Sequence, residues 1–163
     1  MEEIQRKLLI TWETDLRIIC QGHYDAAVMS KKFNYFMGVP VIILSTIVGT
    51  TIFSSLDTTT NVCLKIFLGL FSISSVVLSA LQTFMKYSET AEEYRKAGAK
   101  FGTLVKEIEQ KMTFVNNEVT ESWCNDFRER WDSISSESPT ISGKIWKNQH
   151  KKQNKRRIAT YGE

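Results

Sequence analysis

The chain has 163 residues, of which 42% are hydrophobic, and 21 basic against 18 acidic residues give a formal net charge of +3. Residues 1–143 carry a net charge of −3 and the last twenty a net charge of +6, so the positive balance belongs to the C-terminal tail and predicts no general affinity for polyanions. Cys20, Cys63 and Cys124 are far apart and odd in number, which excludes a disulfide framework and a cysteine-based zinc site.

Residues 1–32 predict an N-terminal, cytoplasmic amphipathic helix. Their apolar side chains fall within about 140° of a helical wheel, the arc expected of a helix with one buried face. These side chains are Ile4, Leu8, Leu9, Trp12, Leu16, Ile19 and Ala27. His23 lies on the same arc, and a packed, hydrogen-bonded imidazole is a better interpretation of it than a ligand or a catalytic group.

Residues 33–86 predict a two-helix transmembrane hairpin, with helices at about 34–56 and 64–86, in an all-α membrane protein. Lys32 and Asp57 enclose 24 uncharged residues, and Lys65 and Lys86 enclose 20. At about 1.5 Å per residue each run spans about 30 Å, the thickness of the hydrocarbon core of a bilayer. The other interpretation is a buried helix pair in a soluble protein, but the rest of the chain is too short to cover two such helices.

The first apolar helix contains a proline and a stripe of small residues. Pro40 removes one helical hydrogen bond, so we expect the helix to kink or restart there. Gly38, Ser45 and Gly49 share one stripe, and small residues let membrane helices approach closely. Simple tolerance of small residues in membrane helices is an equally good explanation of the stripe.

The distribution of basic residues predicts that both termini are cytoplasmic. The connection around Asp57, from Leu56 to Asn61, is short, so the two apolar helices are expected to be antiparallel. Basic residues favour the cytoplasmic side of a membrane. Near the hairpin, the side of the termini holds Arg17, Lys31, Lys32, Lys86, Arg95, Lys96 and Lys100, whereas the turn side holds Lys65.

The second apolar helix carries a line of polar residues within a sector of about 100°. The line consists of Lys65, Ser72, Ser75, Ser79, Gln82 and Lys86. Polar groups in membrane helices face a partner helix or water, because contact with lipid is costly. Two interpretations stay open: the line borders a pore, or the serines hydrogen-bond within the hairpin while both lysines reach opposite membrane interfaces.

Residues 87–132 predict further cytoplasmic helices. One apolar face consists of Tyr94, Gly98, Phe101, Val105, Ile108, Met112 and Val115. On a shorter helix, apolar side chains recur every four residues, namely Val119, Trp123, Phe127 and Trp131. This aromatic line predicts a packed core.

Residues 133–163 predict a polar linker, Ser133 to Gly143, in which Pro139 ends any helix, and then a basic tail. The tail contains Lys144, Lys147, Lys151, Lys152, Lys155, Arg156 and Arg157. Each basic residue near a membrane surface is attracted to anionic headgroups by about 1 kcal/mol. Headgroups are therefore favoured over nucleic acid, which the same charges would also bind, and a solvated, disordered tail is the third interpretation.

The sequence contains no spacing typical of catalysis, phosphate binding or metal binding, and no Asp or Glu interrupts either apolar run. Glu92, Glu93 and Glu107 occupy ordinary positions of exposed helices. We therefore expect no enzyme activity, no cofactor and no metal site.

Two motifs, GVPVIILS at residues 38–45 and SPTI at residues 138–141, are the most specific in the chain. They are accompanied by Trp12, Leu16, Arg17, His23, Ala26, Ala27, Asn34, Gly49, Thr50, Phe53, Glu92, Glu93, Tyr94, Arg95, Leu104, Glu107, Ile108 and Glu109. Together these residues resemble the SLATT domain, the two-transmembrane effector associated with SMODS nucleotidyltransferases and SLOG nucleotide sensors. The resemblance extends to about residue 145.

The resemblance implies a homo-oligomeric pore whose opening, prompted by a partner or a nucleotide signal, depolarises the cell as an antiviral or suicidal response. Since no nucleotide-binding domain accompanies the helices, nucleotide gating would require a separate sensor protein. Lys65 and Lys86 would ring the two mouths of the pore and favour anions. The alternatives are a non-conducting scaffold, for example of a viral or organelle membrane, that binds proteins through its cytoplasmic helices, and a membrane-tethered adaptor that uses the basic tail.

Overall fold

The computed structural model describes residues 3–54, 62–114 and 119–161, and these ranges contain five α-helices. The helices are α1 (Glu3–Ser54), α2 (Val62–Met85), α3 (Tyr87–Thr113), α4 (Glu121–Glu137) and α5 (Gly143–Tyr161). Helices account for 94% of the described residues, which include no strand. This confirms the all-α class. Two helical stretches, Glu3–Thr50 and Val62–Thr113, each contain a segment long and apolar enough to cross a membrane.

The chain divides into two compact units. Unit 1 comprises Met1–Val28 and Ala91–Glu163, and unit 2 comprises Met29–Thr90. Both boundaries lie a few residues outside the predicted hairpin, so α1 and α3 each contribute to both units.

Three expectations about the ends of the helices need correction. The predicted restart at Pro40 is wrong, because α1 continues through that residue without a break. The linker begins later than Ser133, since α4 extends to Glu137 and the N–H of its C-cap, Ser138, bonds to the Ser135 carbonyl at 3.3 Å. A disordered tail is also wrong, because α5 occupies most of it. The predicted turn at residues 56–61 and Val115 lie outside the described residues.

The core of unit 1 forms between α1, α3 and α4. Buried apolar residues recur at helical spacing on the facing sides of α1 and α3, as the periodicity of α3 predicts. The core contains Leu9, Leu16, Cys20, Phe101, Leu104, Val105, Ile108 and Phe127. Ile4 and Leu8 belong to the predicted face of α1 but are 79% and 40% exposed, so the packed part of that helix begins at Leu9.

Phe127 lies at the centre of an aromatic cluster and is fully buried. Its ring stacks on Trp12 with centroids 5.5 Å apart, and Trp123 and Trp131 lie at 5.1 and 6.4 Å. Such pairs contribute about 0.5–1.5 kcal/mol beyond the burial of apolar area. The cluster therefore fixes α4 against the start of α1.

Charged groups connect the same helices at the edge of the core. Arg17 on α1 donates to both Glu13 and Glu109, and so links α1 to α3. Both guanidinium amino groups of Arg130 donate to Glu107, at 2.7 and 2.8 Å, and the Trp123 Nε1–H donates to the same carboxylate at 3.1 Å. The hydrogen bonds from Arg130 lower the pKa of Glu107 below its ordinary value.

His23 is a buried histidine of unit 1 with only 2% of its surface exposed. Its ring stacks on Phe101 at 5.3 Å and lies 5.8 Å from the ring of Tyr94. The packed interpretation of this residue therefore agrees with its position, but Nδ1 has no hydrogen-bond partner among the described residues. Burial lowers the pKa of His23 below the ordinary value of 6.5.

We expect the free energy of unfolding of the unmodified chain to decrease as the pH falls below 6.5, and His23→Phe to remove this decrease. Between the two pKa values the unfolded chain binds the imidazole proton while the folded chain does not, so His23 opposes folding increasingly as the pH falls below 6.5 and adds no pH-dependent contribution above it. The slope is at most about 1.4 kcal/mol per pH unit. Urea unfolding at pH 7.5 and pH 5.5 measures it. His150→Gln, at the second histidine, which is exposed, is the control and should leave the slope unchanged. An equal slope in His23→Phe and in the unmodified chain would contradict the assignment of the pH dependence to His23.

Candidate functional site

Unit 2 exposes almost all of its apolar surface. The apolar segments found in the two stretches are 0% and 6% buried. Ile42, Ile73, Val76 and Phe84 are between 64% and 82% exposed, on both α1 and α2. Monomeric soluble proteins rarely expose contiguous apolar surface on this scale, so unit 2 has the surface of a segment covered by lipid or by other helices.

The part of α1 in unit 2 packs against α2 through polar and small residues. The hydroxyls of Ser45 and Ser75 share a hydrogen bond of 2.7 Å. The side-chain amide of Gln82 donates to the side-chain oxygen Oδ1 of Asn34 at 3.4 Å. Next to this contact, the ring of Phe33 stacks at 5.8 Å on Tyr87, the first residue of α3. Because rising residue numbers on α1 meet falling numbers on α2, the two helices run in opposite directions in this unit.

Gly38 is a close-packed position of this helix pair. A Cβ atom added to it would lie 3.0 Å from the amide nitrogen of Gln82. Gly38 and Ser45 of the predicted small-residue stripe therefore face α2, whereas no atom of the described residues lies within 4 Å of a Cβ added to Gly49. The stripe thus contributes two of its three members to the contact.

The structure divides the predicted polar line of α2 into two parts. Ser75, which is 9% exposed, and Gln82 face α1, where they form the hydrogen bonds described above. Lys65, Ser72 and Ser79 lie about 40–80° further round the helix and are exposed. Ser75 and Gln82 therefore bond within the chain, whereas Lys65, Ser72 and Ser79 form the exposed, free edge of the line.

Lys86, the last member of the line, lies between α2 and α3. Its φ of 45° is the left-handed conformation, and its ammonium group pairs with Glu89 at 3.1 Å. The residue is exposed, so its charge is available at the end of α2.

An open groove of about 730 Å³ lies beside Ser79 of the polar line, and Val41 and Ser45 of α1 also border it. Its lining combines small or hydroxyl-bearing residues with apolar ones, namely Val41, Ser45, Ser75, Val76, Ser79, Ala80, Thr83 and Phe84. The Thr83 hydroxyl donates to the backbone carbonyl of Ser79 at 3.0 Å, so that hydroxyl is satisfied within its own helix. A groove lined by small and hydroxyl side chains suits close contact with another membrane helix or with water.

Sequence reasoning did not identify Asn34 and Thr83 as parts of this site. Asn34 lies one helical turn before Gly38, and Val41 and Ser45 continue the same stripe toward α2. That spacing was the available signal for Asn34. Thr83 offered no comparable signal, because its place in the groove depends on how α2 is rotated against α1.

The predicted tail residues lie on α5 in unit 1. Lys144, Lys147, Lys151, Lys152, Lys155 and Arg156 are exposed, and the side chain of Arg157 lies outside the described part of the chain. Among the described residues no cluster of His, Cys, Asp and Glu is large enough to hold a metal ion.

Comparison of the chain with known protein families, curated proteins and solved structures gives no match.

Proposed function

We propose that the chain is a homo-oligomeric, channel-like membrane effector of the SLATT type, with a possible role in antiviral or cell-suicide responses. Residues 33–86 would form a transmembrane hairpin, and the exposed edge of the polar line on α2 would face the axis of the oligomer. The single observation that carries the proposal is that Lys65, Ser72 and Ser79 are exposed together on one side of a largely apolar helix. The other exposed hydroxyls of α2, on Ser74 and Thr83, donate to backbone carbonyls of the helix at 2.8 and 3.0 Å. Water in a shared pore satisfies the exposed groups of the line, and acyl chains do not.

The proposed orientation places both termini and unit 1 in the cytoplasm. It is supported by the excess of Lys and Arg beside the outer ends of the hairpin, where Lys31, Lys32 and Lys86 are exposed. A separate sensor protein would supply the opening signal, because the resemblance implies gating by a partner or a nucleotide.

An ion-flux assay on the protein reconstituted in liposomes tests whether it conducts ions. We expect the purified protein to conduct a chloride flux above that of protein-free vesicles. Ser79→Leu should lower the flux about tenfold, because it replaces a hydroxyl at the free edge of the line with an apolar side chain. Val77→Leu is the matched control on the opposite face of α2, and it should retain the flux within about twofold. Ion-tight vesicles that contain verified oligomers would contradict the proposal.

A non-conducting scaffold is the second candidate, and the Ser45–Ser75 and Gln82–Asn34 hydrogen bonds favour it. These bonds give two of the six residues of the polar line, Ser75 and Gln82, partners within one chain. If the remaining hydroxyls pair in the same way between chains, the oligomer is dry. Ser79→Leu would then weaken assembly of the oligomer. Vesicles that contain either the unmodified chain or the variant would be ion-tight.

A further inference from the structure

The last helix, α5, packs on α1 through amide side chains. Gln149 and Gln153 are 3% and 5% exposed, and the Gln149 amide donates to the carboxylate of Asp25. The side chain of Ile141, just before α5, lies 3.0 Å from a Cβ added to Gly22. The contacts therefore advance in the same direction along both helices, from Gly22 toward Asp25 on α1.

Because of this direction, the C-terminal end of α5 lies toward the end of unit 1 at which α1 leaves the unit. Residues after Gln149 continue past Asp25 toward Val28, where α1 leaves the unit and its apolar segment begins. Lys155 and Arg156 therefore lie toward the end of unit 1 from which the chain proceeds to the proposed hairpin. Lys144 and Lys147 are roughly 12–18 Å further away along the helix axis.

The basic side chains of α5 form no ion pair with any residue in the part of the chain that the structure describes. The helix from Gly143 to Tyr161 contains no acidic residue. Lys144, Lys147, Lys151 and Lys155 fall within an arc of about 80° on the side opposite Gln149, and all four are exposed.

We propose that the C-terminal end of α5, around Lys155 and Arg156, binds the anionic headgroups of the membrane that unit 2 enters. The inference rests on the membrane insertion in the proposed function, but it does not require conduction. Headgroups carry the complementary charge, and in the proposed function the chain enters the membrane after the end of unit 1 toward which Lys155 and Arg156 lie. Each basic residue at such a surface contributes about 1 kcal/mol, so a pair of them changes an equilibrium about tenfold or more.

Amide hydrogen exchange of the full chain in nanodiscs tests the proposal. We expect α5 to exchange about tenfold more slowly in phosphatidylcholine discs with about 30% phosphatidylglycerol than in phosphatidylcholine alone. The Lys155→Gln/Arg156→Gln variant should lose this protection. The control variant Lys144→Gln/Lys147→Gln removes the same charge from the other end of α5 and should keep the protection from exchange. Exchange in α3 reports whether either variant disturbs the fold.

Four outcomes would overturn the proposal: no effect of the anionic lipid, equal loss in both double variants, failure of the chain to insert, or stronger protection of α5 by a short RNA duplex in neutral discs. Failure to insert would also overturn the proposed function. Protection by anionic lipid in a chain that passes no ions would refute the channel and leave the headgroup contact in place.

Discussion

Lys86→Glu is expected to move the reversal potential of the reconstituted protein toward that of a cation-selective pore. The substitution changes the charge at the end of α2 by two units per subunit, where the exposed Lys86 side chain pairs with Glu89. Rings of charged side chains at a pore mouth bias permeation toward ions of opposite charge. In a tenfold salt gradient, where ideal selectivity is worth about 59 mV, we expect a shift of roughly 20 mV or more.

The backbone at Lys86 offers a graded control. Its left-handed φ of 45° suits glycine, so Lys86→Gly removes the charge and also relieves a conformational cost of about 1–2 kcal/mol. This variant should show about half of the shift. Arg128→Glu, at an exposed position of α4 in unit 1, makes the same charge change outside the apolar unit and should leave the potential unchanged. Equal shifts in Lys86→Glu and Arg128→Glu would show that general surface charge is responsible.

Phe127→Ala is expected to lower the free energy of unfolding of unit 1 by about 3–5 kcal/mol. The ring is fully buried and contacts three tryptophans, so its removal leaves a cavity that rigid neighbours fill poorly. Denaturant unfolding in detergent, followed by tryptophan fluorescence, measures the change because the tryptophans surround the substituted position.

Phe114→Ala provides the comparison for this variant, since Phe114 is 57% exposed and its removal should cost less than about 1 kcal/mol. If Phe127→Ala does not fold, Phe127→Leu keeps most of the apolar volume and should show a smaller loss of the same sign. A loss no larger than that of Phe114→Ala would contradict a central role of Phe127.

The sequence was most informative where one face of a helix is buried. The periodicity of α3 identifies Phe101, Val105 and Ile108, which are all core residues, because burial on one side imposes a regular spacing. It did not identify Leu104, which lies at the edge of that face. The exposure of Ile4 could not be inferred, since it depends on where the partner helices end.

The polar line of α2 shows why the candidate site was only partly predictable. Helical spacing placed Ser72, Ser75 and Ser79 on one side of the helix, but spacing alone does not give the rotation of α2 against α1. A rotation of about 40–80° separates Ser75, which bonds to Ser45, from the exposed hydroxyls. The continuity of α1 at Pro40 was missed for a related reason: a proline removes one hydrogen bond, while the neighbouring bonds of a long helix still hold the backbone.

The buried glutamines between α5 and α1 have a thermodynamic consequence. Amide contacts remove little apolar surface from water, so they contribute little to the heat capacity of unfolding, whereas the aromatic core around Phe127 contributes much. The Oε1 atom of Gln149 is also buried without a partner among the described residues, which offsets part of the gain from its bond to Asp25. Local opening of α5 therefore requires less free energy than global unfolding of unit 1, and the helix can separate from α1 while the core stays folded.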